Sequence, residues 1–318
     1  MQARDPLNSG WCASLEVGRH GSCSPRKVWM HHLRTFMQSR SVLVACIVLA
    51  VAVPAVTLPR LPHVTVWPVL LGLIPWMFGK YVLCPLRWRA LTTAPLSRWW
   101  YIRAYAEGEL LGLLTPAYVG GDLWRIRRLT RTGVSAPDAL GSVGLDRFVG
   151  GVGLAVFVVF AGATLPFQML VIAIGVGVVT ILGAVLLRSL RPHLMPRRIL
   201  PPPRQLAHAL FLSALYQLTI AALLLGTVSA TGHPLSPLAL LGAFGASQLA
   251  GAIPGPHGAS PRDAAFVLAL VALGVPWIAA AAAVTLKATL AWGPALLLGG
   301  ASLLVTRRAT RSAVPATV

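Results

Sequence analysis

Apolar residues run through this chain in blocks near the ~20 residues that a membrane-crossing helix needs, at 41–58, 64–84, 143–163, 167–187, 206–228 and 276–305. Each block predicts an α-helix through a bilayer, because ~30 Å of hydrocarbon is spanned at 1.5 Å per residue. Two further apolar segments, 104–121 and 237–273, are interrupted by Pro, Gly and charge. Bilayers tolerate such residues only where protein or a water-filled cavity surrounds them. The prediction is an all-α polytopic membrane helix bundle of six to eight spans, with two broken segments that either cross or re-enter. A single transmembrane domain would occupy 37–308, between tails 1–36 and 309–318. The block 276–305 would reach about 45 Å. It must therefore tilt, kink near Gly293-Pro294 or extend beyond the bilayer.

Composition strengthens this picture. The 318 residues are 56% hydrophobic and 11% charged, against roughly 25% charged in soluble domains, which excludes an ordinary soluble fold. The formal charge of +19 raises a nucleic-acid partner, but the placement of the cations answers it. Of 27 Lys and Arg, 22 fall in clusters at 4–40, 87–103, 125–131, 188–204 and 307–311, each beside an apolar block. Only Arg60 falls in a proposed outer loop. The positive-inside rule then puts both termini in the cytoplasm, with outer turns at Pro59–His63 and near Ala163–Pro166. Two crossings or one hairpin in 237–273 leave that parity unchanged. No nucleic-acid-binding module accompanies the arginines. The 24 Arg against three Lys (Lys27, Lys80, Lys287), with abundant Ala and Pro, suggest a GC-rich bacterial genome and hence a bacterial inner (plasma) membrane.

Residues 1–36 read as a disordered tail, with Met30 and Met37 as alternative starts. The run from Ser41 begins late for a signal peptide. Cys12 and Cys23 lack zinc-finger spacing, and Cys46 and Cys84 suit packing. No metal or cofactor is predicted.

The chain holds only eight acids. Asp5 and Glu16 lie in the tail and Asp138 in a polar loop, while Glu107, Glu109, Asp122, Asp146 and Asp263 lie in or beside apolar segments. A charge at a bilayer centre costs on the order of 2.5–3.5 kcal/mol, so partners or water are expected. In Leu114-Thr-Pro-Ala-Tyr-Val-Gly-Gly-Asp-Leu-Trp-Arg125, Pro116 and Gly120-Gly121 should stop a helix. Asp122 and Arg125, three apart, then share a face. They either line a polar cavity or form an N-cap on a surface helix, with Arg125, Arg127 and Arg128 touching headgroups.

The second broken segment, Ala252-Ile-Pro-Gly-Pro-His-Gly-Ala-Ser-Pro-Arg-Asp263, repeats the spacing. Pro254 and Gly258 flank Gly255, and Arg262 and Asp263 follow. It reads either as an ordinary loop or, with the first, as a binding site between repeats. A helix from Pro261 would offer its amides to an anion. Asp146-Arg147 opens the third span; adjacent residues take different faces, and snorkelling is the alternative. Lys80 lies near a span end and can snorkel. Lys287, mid-span, requires an acid or a phosphate. His257 and Ser260 belong to neither H-E-x-x-H nor a nucleophile elbow.

Arg87-Trp-Arg-Ala-Leu91, followed by Leu114–Asp122 and Arg125, resembles the first half of the transmembrane domain of the lysylphosphatidylglycerol synthase/flippase family. Val143-Gly-Leu-Asp-Arg-Phe148 is similar to that family's acid–Arg pair. Ile253-Pro-Gly-Pro-His-Gly258 through Arg262-Asp263 resembles its second Pro-Gly motif, which usually ends in Arg-Glu. Ala282–Lys287 resembles a helix that usually carries Arg where this chain has Lys287. Both exchanges keep charge and change reach. The resemblance covers roughly 40–305, and the family's soluble aminoacyl-transferase domain has no counterpart in this sequence, so no synthase activity is expected.

Polar residues and resemblance together imply a non-enzymatic protein that binds an anionic lipid headgroup, phosphatidylglycerol-derived or polyprenyl-phosphate-linked, and moves it between leaflets. Arg125, Arg262 and Lys287 would meet the phosphate. Asp122, Asp146 and Asp263 would hold these cations or meet a cationic headgroup, and Arg147 would complete the site. The alternative is a non-transporting anchor or accessory for a separate lipid synthase or glycosyltransferase. An intramembrane transferase using Asp122 or Asp263 with a metal lacks ligand spacing.

Overall fold

The computed structural model describes residues 64–115, 118–160, 201–249 and 260–312, with a few positions between 182 and 190. All lie within one unit, residues 46–318. The expected span 41–58, its outer turn, most of 167–187, Pro116, and the stretch with Pro254, Gly255, His257 and Gly258 lie outside the described residues.

Regular structure among the described residues is helical throughout. Among the described residues, four helices are long and apolar enough to cross a membrane: Val66–Leu91 (α1), Ala136–Val156 within Ala136–Phe160 (α4), Pro203–Ala230 (α5) and Trp277–Thr306 within the continuous helical run from Trp277 to Ser312 (α8). Between them lie Arg98–Leu113 (α2, 16 residues), Val119–Thr130 (α3, 12 residues), Pro237–Leu249 (α6, 13 residues) and Pro261–Ala272 (α7, 12 residues). At 1.5 Å per residue these rise about 18–24 Å, short of the hydrocarbon thickness. Each broken segment is therefore a pair of short helices, α2 packed on α3 and α6 on α7.

Serine starts four of these eight helices, α2, α4, α6 and α7, by accepting an otherwise orphaned amide. Ser97 Oγ accepts from Trp100 N at 3.2 Å and Ser236 Oγ from Ala239 N at 3.3 Å. Ser135 Oγ accepts from Asp138 N at 3.2 Å and donates to Asp138 Oδ2 at 2.6 Å. Because Ser135 caps α4, that helix begins at Ala136 rather than 143. Asp146-Arg147 therefore lies inside the third expected span, not at its opening.

Two π-helical turns interrupt the long helices, at Gly79–Leu83 in α1 and Ala295–Gly299 in α8. The second follows Pro294, which has no N–H to continue the α ladder. It lies where the expected kink was placed, and helix resumes over Gly300–Ser312.

Glycine lets α1 and α5 cross closely. A Cβ on Gly72 would stand 2.5 Å from the Ala222 carbonyl oxygen, and one on Gly226 would overlap that of Pro68. Small residues permit such backbone approach in lipid, where no hydrophobic force drives helices together. Leu224, Val228, Leu240, Phe266, Leu270 and Ala280 fill the junction of α5–α8. Trp88, Tyr101, Leu129 and Ala139 fill that of α1–α4. Trp67, Leu71, Ile74 and Phe78 are exposed along one side of α1, as suits a helix whose outer solvent is lipid.

Candidate functional site

Arg87 lies on α1 with 5% of its surface exposed, so it is not the loop residue that its cluster with Arg103 suggests. Its Nε donates to Asp146 Oδ1 at 2.8 Å, and Nη1 donates to Ser213 Oγ at 3.3 Å. Asp146 on α4 is 1% exposed, and its other oxygen accepts from Arg125 Nη1 at 2.8 Å. Arg125 Nη2 donates to Asp122 Oδ1 at 2.6 Å, and Arg147 Nη2 donates to that oxygen at 3.1 Å. Five charges thus alternate along one chain of contacts, Arg87, Asp146, Arg125, Asp122 and Arg147. Such charge-assisted bonds offset the desolvation of a buried ion only because each carboxylate is doubly engaged. The Arg125 guanidinium also faces the rings of Trp88 and Tyr105, 5.2 and 5.0 Å away, in cation–π contact.

Of the residues expected to stop a helix, Pro116 lies outside the described residues, and Gly120 and Gly121 lie within a helix instead of ending one. The backbone turns at Tyr118, left-handed at φ 59°, which is also the N-cap of α3. Asp122 is therefore not an N-cap. It sits in the first turn of α3, and the Thr115 hydroxyl accepts from Gly120 N at 2.8 Å. Gly120 and Gly121 belong to α3 and serve close packing: a Cβ on Gly121 would stand 2.5 Å from the Gly108 carbonyl oxygen of α2.

Lys287 on α8 reaches Asp263 Oδ1 at 3.1 Å, with Nζ 5.3 Å from the Phe266 ring. Asp263 also closes a capping box on α7. Its Oδ2 accepts from Ser260 N and Oγ at 3.3 and 2.6 Å, and its own amide donates to Ser260 Oγ at 3.3 Å. The amides of Ser260 and Asp263 at the start of α7 are therefore engaged within the capping box, where the sequence suggested amides open to an external anion. Arg262, next in the chain, forms no ion pair among the described residues. Lys80 on α1 pairs with Glu109 on α2 at 3.0 Å and lies 5.9 and 5.8 Å from the Tyr105 and Tyr118 rings.

These groups surround a cavity of about 320 Å³, within the ~300–1,000 Å³ typical of small-molecule sites. Among the described residues its wall carries five cations, Lys80, Arg87, Arg147, Arg262 and Lys287, against one carboxylate, Glu109. Tyr118, Tyr216, Gln217 and Gln248 add polar groups, while Trp76, Leu113 and Leu223 add apolar surface. Of the residues singled out in the sequence, Arg147, Arg262 and Lys287 line the wall. Asp122, Arg125, Asp146 and Asp263 do not line it, but pair with cations that do or with one another. Lys80 was read only as a cation that can snorkel, Glu109 only as an acid beside an apolar segment and Arg87 only as part of a resembling motif, while the two glutamines were not singled out. The available signals were the seven-residue spacing of Lys80 and Arg87, two turns along an apolar helix, and single Gln residues in apolar segments.

Glu107 belongs to a separate cluster. It is fully buried and accepts from Trp124 Nε1 at 2.9 Å, Ser302 Oγ at 2.8 Å and Thr306 Oγ1 at 2.9 Å, with Arg128 Nε 3.1 Å away. This carboxylate ties α2, α3 and α8 together.

A family model described as the Lysylphosphatidylglycerol synthase TM region matches residues 39–299. No curated protein and no solved structure matches significantly.

Proposed function

The chain belongs to the Lysylphosphatidylglycerol synthase TM region family, and on that premise we propose that its cavity receives an anionic lipid headgroup and passes it between leaflets. The observation that carries this reading is the wall of five cations facing one carboxylate. Guanidinium groups recognise phosphate oxygens bidentately and remain charged when buried, and ammonium groups add point charge. Asp122, Asp146 and Asp263 hold Arg147, Arg87 and Lys287 in place, so the cations are oriented before a ligand arrives, which lowers the cost of binding. Acyl chains would stay in lipid while the headgroup passes through the polar interior, with the α2–α3 and α6–α7 pairs giving access alternately. The role requires no bond to be made or broken.

Reconstitution in liposomes, with fluorescent lipids of varied headgroup, tests the proposal. Headgroup-selective movement that is lost in Asp122→Asn and Arg262→Ala supports it. Wild-type movement in both variants removes the site assignment. No movement of any anionic lipid by folded protein points instead to a non-transporting anchor for a lipid synthase or glycosyltransferase.

A further inference from the structure

The charges in and directly behind the cavity wall do not balance. Lys80, Arg87, Arg125, Arg147, Arg262 and Lys287 are six cations, and their partners Glu109, Asp122, Asp146 and Asp263 are four carboxylates. Two positive charges are left over. The remaining acids of the chain are engaged elsewhere or lie far along the sequence. Glu107 binds Arg128 and two hydroxyls, Asp138 accepts from the Ser135 hydroxyl in the first turn of α4, and Asp5 and Glu16 are the only others. The stretches 161–200 and 250–259 contain no acid. The surplus is thus a property of the sequence around the cavity as well as of the described contacts.

An uncompensated charge in a low-dielectric interior is costly, and a ligand that neutralises it gains that cost back as affinity. A phosphodiester such as that of phosphatidylglycerol brings one negative charge and would leave one cation unanswered. A phosphomonoester carries about −1.5 to −2 at pH 7, and a pyrophosphate diester carries one charge on each phosphorus. Resting on the headgroup reading above, we infer that the cavity is built for a doubly charged phosphate, a phosphomonoester or pyrophosphate-linked headgroup, in preference to a singly charged phosphodiester. Arg262, with no carboxylate partner among the described residues, supplies one of the two surplus charges directly to the wall.

Binding to the purified full chain in phosphatidylcholine nanodiscs tests this, with phosphatidic acid as the monoester, phosphatidylglycerol as the diester and inorganic pyrophosphate as a soluble, multiply charged phosphate. Phosphatidic acid should bind at least about tenfold more tightly than phosphatidylglycerol at pH 7.5. The preference should shrink at pH 5, where the monoester takes up a proton, and should fall toward parity in Arg262→Gln. Equal or tighter binding of phosphatidylglycerol by wild-type protein would overturn the inference and leave the anionic-headgroup reading standing. Binding of both no better than phosphatidylcholine would remove that reading as well. Displacement of phosphatidic acid by equimolar pyrophosphate keeps the charge preference and assigns it to a soluble ligand. Failure of that displacement, with the tenfold preference intact, assigns it to a lipid.

Discussion

Asp146 and Arg147 are neighbours in the chain and occupy opposite environments: the Asp146 side chain is 1% exposed between two guanidiniums, while the Arg147 side chain is 53% exposed at the cavity wall. Successive residues on a helix are turned about 100° apart, so one position can anchor the bundle while the next faces a ligand. The two should separate stability from function.

Asp146→Asn removes the charge shared by Arg87 and Arg125 and leaves two buried cations short of a partner. A loss of about 3–5 kcal/mol is expected. A fall in thermal midpoint of the detergent-solubilised protein measures it, and an unchanged midpoint would mean that the pair network contributes little.

Arg147→Gln should leave that midpoint within the range of a half-exposed ion pair, about 0.2–1 kcal/mol. Headgroup-selective movement in liposomes should nonetheless fall at least about tenfold, corresponding to roughly 1.4 kcal/mol of lost headgroup interaction. Full activity in this variant would remove Arg147 from the site.

Gly72→Ala places a methyl 2.5 Å from the Ala222 carbonyl oxygen, and should cost about 1–3 kcal/mol as overpacking at the α1–α5 crossing. Gly144→Ala, where a Cβ would meet nothing within 4 Å, should be neutral or stabilising through helix propensity. Comparing the two melting curves separates close approach from a general intolerance of substitution.

Glu107→Ala strands the donors of Trp124, Arg128, Ser302 and Thr306. Faster amide exchange over residues 300–306 than over 277–290 is expected, because that carboxylate holds the end of α8. Uniform exchange along the helix would show that α8 is held by packing alone.

The long helices were legible because hydropathy over about 20 residues is a signal set by the bilayer itself. Blocks 64–84, 206–228 and 276–305 correspond to Val66–Leu91, Pro203–Ala230 and Trp277–Thr306. Arg87 was misread because the positive-inside rule counts charges near span ends without knowing their partners, and Asp146 stands 59 positions away. The break before α3 was legible as a place, whereas the left-handed turn at Tyr118 was not. Glycine is the usual carrier of left-handed backbone, and nothing local marks Tyr118 as taking it. The partition between wall and counter-ions depends on how α1, α3, α4, α7 and α8 are packed, which no local spacing records.

The π-helical turn at Gly79–Leu83 fixes the rotational phase of α1. Before it, Trp67, Leu71, Ile74 and Phe78 look outward; on it and after it, Lys80 and Arg87 look inward. Since one residue advances a helix by about 100°, removing a single residue from that turn would swing one half against the other. Either the aromatic edge would be driven into the cavity or Arg87 would be driven into lipid. The segment therefore works like a keyed shaft: what selection must preserve there is angular registration, and a substitution that keeps the phase is safer than a deletion that keeps every side chain.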